Sequence, residues 1–136
     1  FVADKLKAIE NLEAVNNFVK MLQQEKNYKY DIFTLNHDIL LETSLKKNHE
    51  ISNTGFGDEN KFSISNFADS VSRFNIFKLH GSIDWNRKRD INEKDYIFTM
   101  NPVNPADGHL DPTPHYVIGT FNKYEIYNYG IFYDLF

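Results

Sequence analysis

Cysteine is missing altogether from this chain of 136 residues. A disulfide framework and a thiolate zinc cage are thereby excluded; any metal site would need His and carboxylates, and no zinc is expected. No run of sequence approaches the roughly 20 consecutive apolar residues that span a bilayer. Nor does a basic start followed by an apolar stretch mark a secretion signal, so the chain reads as a soluble, cytoplasmic protein with no membrane partner. Positive charge is also short: 15 basic residues face 19 acidic ones for a net charge of −4, which weighs against nucleic acid as a partner. The one basic cluster, Arg87-Lys88-Arg89, is followed by Asp90 and reads as a solvated turn.

What is present is ordinary globular composition, 41% hydrophobic and 25% charged, in a length that suits one core. Aromatics reach 15% with twelve Phe, eight Tyr and one Trp, so large rings must fill much of that core. The chain opens on Phe1 without an initiator Met and closes on Phe132-Tyr133-Asp134-Leu135-Phe136 without a polar tail, giving the expectation of residues 1–136 as an interior piece of a larger protein.

Leu6, Ile9, Leu12, Val15, Phe18, Val19 and Leu22 recur at helical spacing and predict an amphipathic helix from about Asp4 to Gln24. Tyr30 to Leu35 predicts a mostly buried strand ending at Asn36, and Ile39 to Lys46 a second helix. Periodicity is then lost over residues 48–72, where turn formers mix with Phe56, Phe62, Ile64 and Phe67; a lid or small helical insertion with partial packing is expected. Asn75 to Leu79 predicts a second strand that runs into His80-Gly81-Ser82. Tyr96 to Met100 predicts a third, and Tyr116 to Ile118 a fourth. Asn101 to Pro114 holds all four prolines and reads as an irregular connection. Asn122 with Glu125 resembles a capping box that opens a terminal helix.

Helices alternating with short apolar strands predict an α/β fold, a partial Rossmann-like domain with a mostly parallel sheet and helices on its faces. Ligands of such sheets bind beyond the carboxyl ends of the strands. Two strands end in polar residues with chemical capability, Thr34-Leu35-Asn36-His37-Asp38 and His80-Gly81-Ser82-Ile83-Asp84, and as parallel neighbours they would share one crevice. Plainer roles exist for the same residues. Asn36 or Asp38 suits the N-cap of the following helix, His80 suits a turn, and His37 suits a packed or solvent-facing position. A metal-dependent hydrolase would use His37, Asp38, His80 and Asp84 as ligands. A non-catalytic scaffold would instead present aromatic surface to partner subunits.

The pattern Asp31-Ile32-Phe33-Thr34-Leu35-Asn36-His37-Asp38, followed by Lys78-Leu79-His80-Gly81-Ser82-Ile83-Asp84-Trp85, resembles the sirtuin-like (silent-information-regulator-like) family, most of all its cysteine-free bacterial branch. Thr54-Gly55-Phe56-Gly57 is similar to a Gly-Phe turn between the two motifs. The resemblance implies an NAD site where nicotinamide is cleaved from ribose. On it, Asn36 holds the ribose hydroxyls or an attacking water, Asp38 contacts the carboxamide, and His80 is the general base. Thr34, His37, Gly81 and Ser82 join Asn36 and Asp38 around the cofactor. Leu35 stands where deacetylating members have Gln, and their four-cysteine module has no counterpart, which weighs against protein deacylation. The bacterial relatives without cysteine are associated with NAD hydrolysis in antiphage defence, triggered by partner domains or oligomerisation. By the same resemblance, the family's glycine-rich strand-turn would precede Phe1 and its final strands would follow Phe136.

Overall fold

The computed structural model describes residues 12–57, 60–68, 70–89, 96–99 and 110–111. The expected strand at 116–118, the terminal helix and the start of the first helix lie outside the described residues. In chain order the elements are α1 (Glu13–Gln23), β1 (Tyr30–Thr34), α2 (Leu40–Lys47), β2 (Ser52–Asn53), α3 (Ser65–Ala68), β3 (Phe74–Lys78), β4 (Asn86–Arg89), β5 (Tyr96–Thr99) and β6 (Leu110–Asp111).

Strands β1, β3 and β2 form an open, all-parallel sheet with β3 in the centre. Tyr30 pairs with Phe74 and Thr34 with Lys78, so β1 and β3 end level with each other; Ser52 pairs with Phe74 on the far side. Position in the sheet explains the burial. Central β3 is buried along nearly its whole length, whereas β1 alternates and leaves Phe33 62% exposed. The expectation of a mostly buried first strand is corrected accordingly: only the face carrying Tyr30 and Ile32 packs on the helices.

On that face Val19 of α1 and Leu45 of α2 meet Phe74 and Ile76, all fully buried, with Leu22, Tyr30, Ile32 and Leu41 around them. A polar seam joins the helices: Ser44 donates to Asn16 Oδ1 at 2.5 Å, and Gln23 Nε2 donates to the Asn48 carbonyl at 3.1 Å. Across the opposite face, Asn53 donates to Asn75 and Asn75 to Asp31, at 3.2 and 2.8 Å, in a row perpendicular to the strands.

Residues 48–72 supply β2 and α3, together with a bridge between Phe56 and Phe62. A strand of two residues is too short to show a period, which is why the sequence pattern misses β2. Phe67 stacks on Phe77 with centroids 4.1 Å apart, and Phe56 and Phe62 both meet Trp85 at 5.4 Å. This aromatic cluster packs over the central strand on the sheet face that the helices leave open, while Phe33 at the edge stays exposed. Gly55 sits beneath it at φ +86°, where a Cβ would stand 2.5 Å from the Phe62 ring and 2.7 Å from that of Phe67. Gly55→Ala combines left-handed strain with overpacking and is expected to cost about 2–4 kcal/mol in urea unfolding. A cost below about 0.5 kcal/mol would contradict this packing.

Strands β5, β4 and β6 form a second, antiparallel sheet with β4 central. Arg87, Lys88 and Arg89 therefore belong to a strand paired on both sides, not to the solvated turn read from their charge. Ladder bonds use backbone groups and do not depend on side-chain polarity, so a charge run is a weak guide to them. The β5 strand falls where Tyr96 to Met100 predicts one. Within the interval read as irregular, Leu110–Asp111 precedes Pro112 and both residues keep their N–H groups, which leaves room for the short β6.

Candidate functional site at the strand ends

Because β1 and β3 are parallel neighbours ending in register, the chain leaves the sheet twice at the same edge. The two turns are sewn together by backbone bonds: Leu79 N–H donates to the Thr34 carbonyl at 3.0 Å and Ile83 N–H to the His37 carbonyl at 2.9 Å. Gly81 adopts φ +75°, the left-handed conformation that glycine tolerates and that lets the second turn reverse direction. The imidazoles of His37 and His80 lie near one another, ring centroids 6.0 Å apart and 27° between planes.

Thr34 Oγ1 accepts the Asn36 N–H at 3.0 Å and so holds the first turn from within, leaving Asn36 exposed. Asp38 Oδ1 accepts the Leu40 N–H at 3.0 Å, which satisfies an orphan donor at the start of α2. Asp38 thus supports the helix start from one residue before the N-cap, Ile39, whose side chain makes no cap bond; among the described residues no such bond is made by Asn36. Asp38→Ala is expected to cost about 0.5–2 kcal/mol in urea unfolding, while Asp38→Asn, which keeps an acceptor oxygen, stays within a few tenths. Equal losses for the two variants would show that the carboxylate charge, rather than the cap, matters for folding.

Thr34, Asn36 and Asp38 line a cavity of about 350 Å³ whose other wall includes Ala14, Val15 and Phe18 of α1. It is a mixed pocket, apolar on the helix side and polar at the strand ends. His80, Gly81 and Ser82 do not line it; they stand at the neighbouring turn. Ser82 is fully buried, accepts from Lys78 Nζ at 3.0 Å and donates to the His37 carbonyl at 3.2 Å, so its hydroxyl is engaged inside the protein. A larger groove of about 900 Å³ runs along β2 and the start of β3, past His49, Asn53, Asn66 and Arg73, away from both turns.

Two functional candidates escape the sequence reading, Lys78 and Glu42. The Lys78 side chain is only 2% exposed, and its ammonium meets Glu42 Oε1 at 2.9 Å. Burial drives the Glu42 carboxyl upward in pKa, opposed by the Lys78 charge. His37 is held below the usual imidazole range, first by burial and then by Lys78 among other, smaller influences, so its neutral form is favoured at neutral pH. One signal was available: Lys78 interrupts the apolar run Ile76-Phe77-Leu79, and a lysine inside a buried strand needs a partner.

Among the described residues, no three His, Asp or Glu side chains converge as a metal would require, so the hydrolase set of His37, Asp38, His80 and Asp84 is not assembled. No helix among them is long and apolar enough to cross a membrane.

A parallel sheet flanked by helices, with its polar turns gathered at the carboxyl ends of adjacent strands, defines an α/β domain of partial Rossmann-like type. The chain belongs to the SIR2-like domain family, whose model matches residues 31–124, more than half its length and both turns included. The sirtuin-like resemblance of the two motifs is thereby established, and with it an NAD-related fold. No curated protein matches the chain.

Proposed function

We propose that the intact protein hydrolyses NAD to ADP-ribose and nicotinamide, as a cytoplasmic bacterial antiphage effector whose other domains or oligomerisation control it. The observation that carries the reading is the level ending of β1 and β3, which sends the Asn36 turn and the His80 turn out of one sheet edge. Cleavage of the N-glycosidic bond moves its electron pair onto the pyridinium ring, releases neutral nicotinamide and leaves oxocarbenium character on the ribose. Asn36, exposed at the mouth of the pocket, is the residue to orient the ribose hydroxyls or the water. As water adds to the anomeric carbon its proton passes to His80, imidazole being the side chain best suited to act as a general base near neutral pH. Asp38, His37, Thr34 and the backbone of Gly81 and Ser82 complete the surroundings, with Asp38 turned toward the carboxamide.

Supporting this reading are the family membership, the two motifs in order, and the mixed polarity of the pocket, which suits a planar amide-bearing ring against Phe18 and Val15. Incubating the intact protein with a fluorogenic etheno-NAD, and assaying free nicotinamide in cells that express it, tests the proposal. Release in either setting is expected; no release in both would remove it.

A further inference from the structure

We infer that Lys78 is a positioning residue of this crevice: from beneath, its ammonium fixes where the Asn36 turn and the His80 turn stand relative to each other. The inference rests on the reading of the crevice as the site of NAD cleavage. An ammonium has three N–H donors, and here all three have acceptors: the Asp38 carbonyl, Ser82 Oγ and Glu42 Oε1. The first two acceptors are placed symmetrically, Asp38 two residues after Asn36 and Ser82 two residues after His80. The ammonium is therefore a strut between corresponding points of the two turns. Ser82 passes the connection on to the His37 carbonyl at 3.2 Å, closing a ring of bonds through both turns.

Stability does not account for a lysine in this place. A buried ion pair replaced by apolar residues of similar volume is often neutral or even stabilising, because desolvation offsets the Coulombic attraction. Glu42 reinforces the point, since its second carboxylate oxygen, like Asp84 Oδ1, is buried without a hydrogen bond. What a methionine cannot reproduce is the set of three directed bonds. Misplacing a catalytic group by about 1 Å costs on the order of 10²-fold in rate, and the strut holds two such groups at once.

The test compares Lys78→Met, Lys78→Arg and Glu42→Gln with the unaltered intact protein, by NAD kinetics, thermal unfolding and ¹⁵N-histidine NMR. Lys78→Met leaves Glu42 buried without its partner and is expected to unfold below the parent midpoint, and, measured where it is folded, to lose kcat by about 10²-fold with KM changed less than about threefold and to shift the His37 and His80 ring signals. Lys78→Arg, which keeps directed donors, recovers about tenfold of that loss. An unchanged kcat in folded Lys78→Met, or a loss confined to KM, overturns the inference. Should Lys78→Met fail to fold, Glu42→Gln decides, with a lowered kcat supporting the strut and an unchanged one overturning it. If the unaltered protein does not cleave NAD, the functional reading fails on its own account. The imidazole signals then carry the decision: shifted His80 resonances uphold the positioning role and unmoved ones end it.

Discussion

His80→Ala in the intact protein is expected to lower NAD turnover by about 10²–10⁴-fold, the usual contribution of a positioned general base. Asn36→Ala is expected to lose about 10²–10³-fold, the range seen when a donor aimed at a reacting centre is removed. The reasoning differs for the two side chains. Without the His80 imidazole, the water that attacks the anomeric carbon loses the base positioned to take its proton. Without the amide, the base remains but the water and ribose are no longer aligned with it. Because both groups serve one step, the double variant should fall little below His80→Ala alone. The Asn36 change should not threaten the fold, since Asn36 is exposed and the first turn is held by its backbone N–H on Thr34 rather than by its side chain; His80 is half-buried beside His37, so its variant is compared at a temperature where it is folded. Steady-state kinetics beside thermal unfolding checks this. Turnover equal to the parent in both single variants would remove these residues from the mechanism.

The largest effect on stability is expected at Trp85. The ring is 1% exposed and is the largest fully buried side chain among the described residues. It holds Phe56 and Phe62 by edge and tilted contacts, each with centroids 5.4 Å away. Through Phe62 the cluster continues to Phe67, which stacks on Phe77 of the central strand. Trp85→Ala opens a void in the aromatic layer packed over the central strand of the parallel sheet and is expected to cost about 3–5 kcal/mol. Urea unfolding followed by circular dichroism measures it, since the variant retains no tryptophan. A cost under about 1 kcal/mol would show that the cluster does not support the sheet.

Much of this arrangement was legible because it is written in short-range pattern. Helical spacing marks α1, the compact runs around Ile32 and Ile76 mark β1 and β3, and Gly81 after His80 marks the reversal. Both chemical clusters stand at strand ends, where parallel α/β sheets collect ligands, so the candidate crevice followed from topology once the strands were assigned. Three features were hidden for physical reasons. β2 is too short to show alternation. β4 is made by backbone ladders whose side chains, Arg87-Lys88-Arg89, suggest solvent instead. Lys78 depends on residues as distant in sequence as Asp38 and Glu42, and nothing local to a strand reveals such partners. The exposure of Phe33 was misread for a related reason: an edge position cannot be told from a central one until the neighbours of the strand are known.

For the proposed cleavage, one ribose must be reached from both turns. The most direct test is isotope-edited NMR of the intact protein bound to a non-hydrolysable NAD analogue, selectively labelled at asparagine and histidine. Nuclear Overhauser contacts from the Asn36 side-chain amide and from the His80 ring to protons of the nicotinamide ribose are the predicted result. A bound analogue whose nicotinamide ribose contacts neither residue, or only one of them, would contradict it.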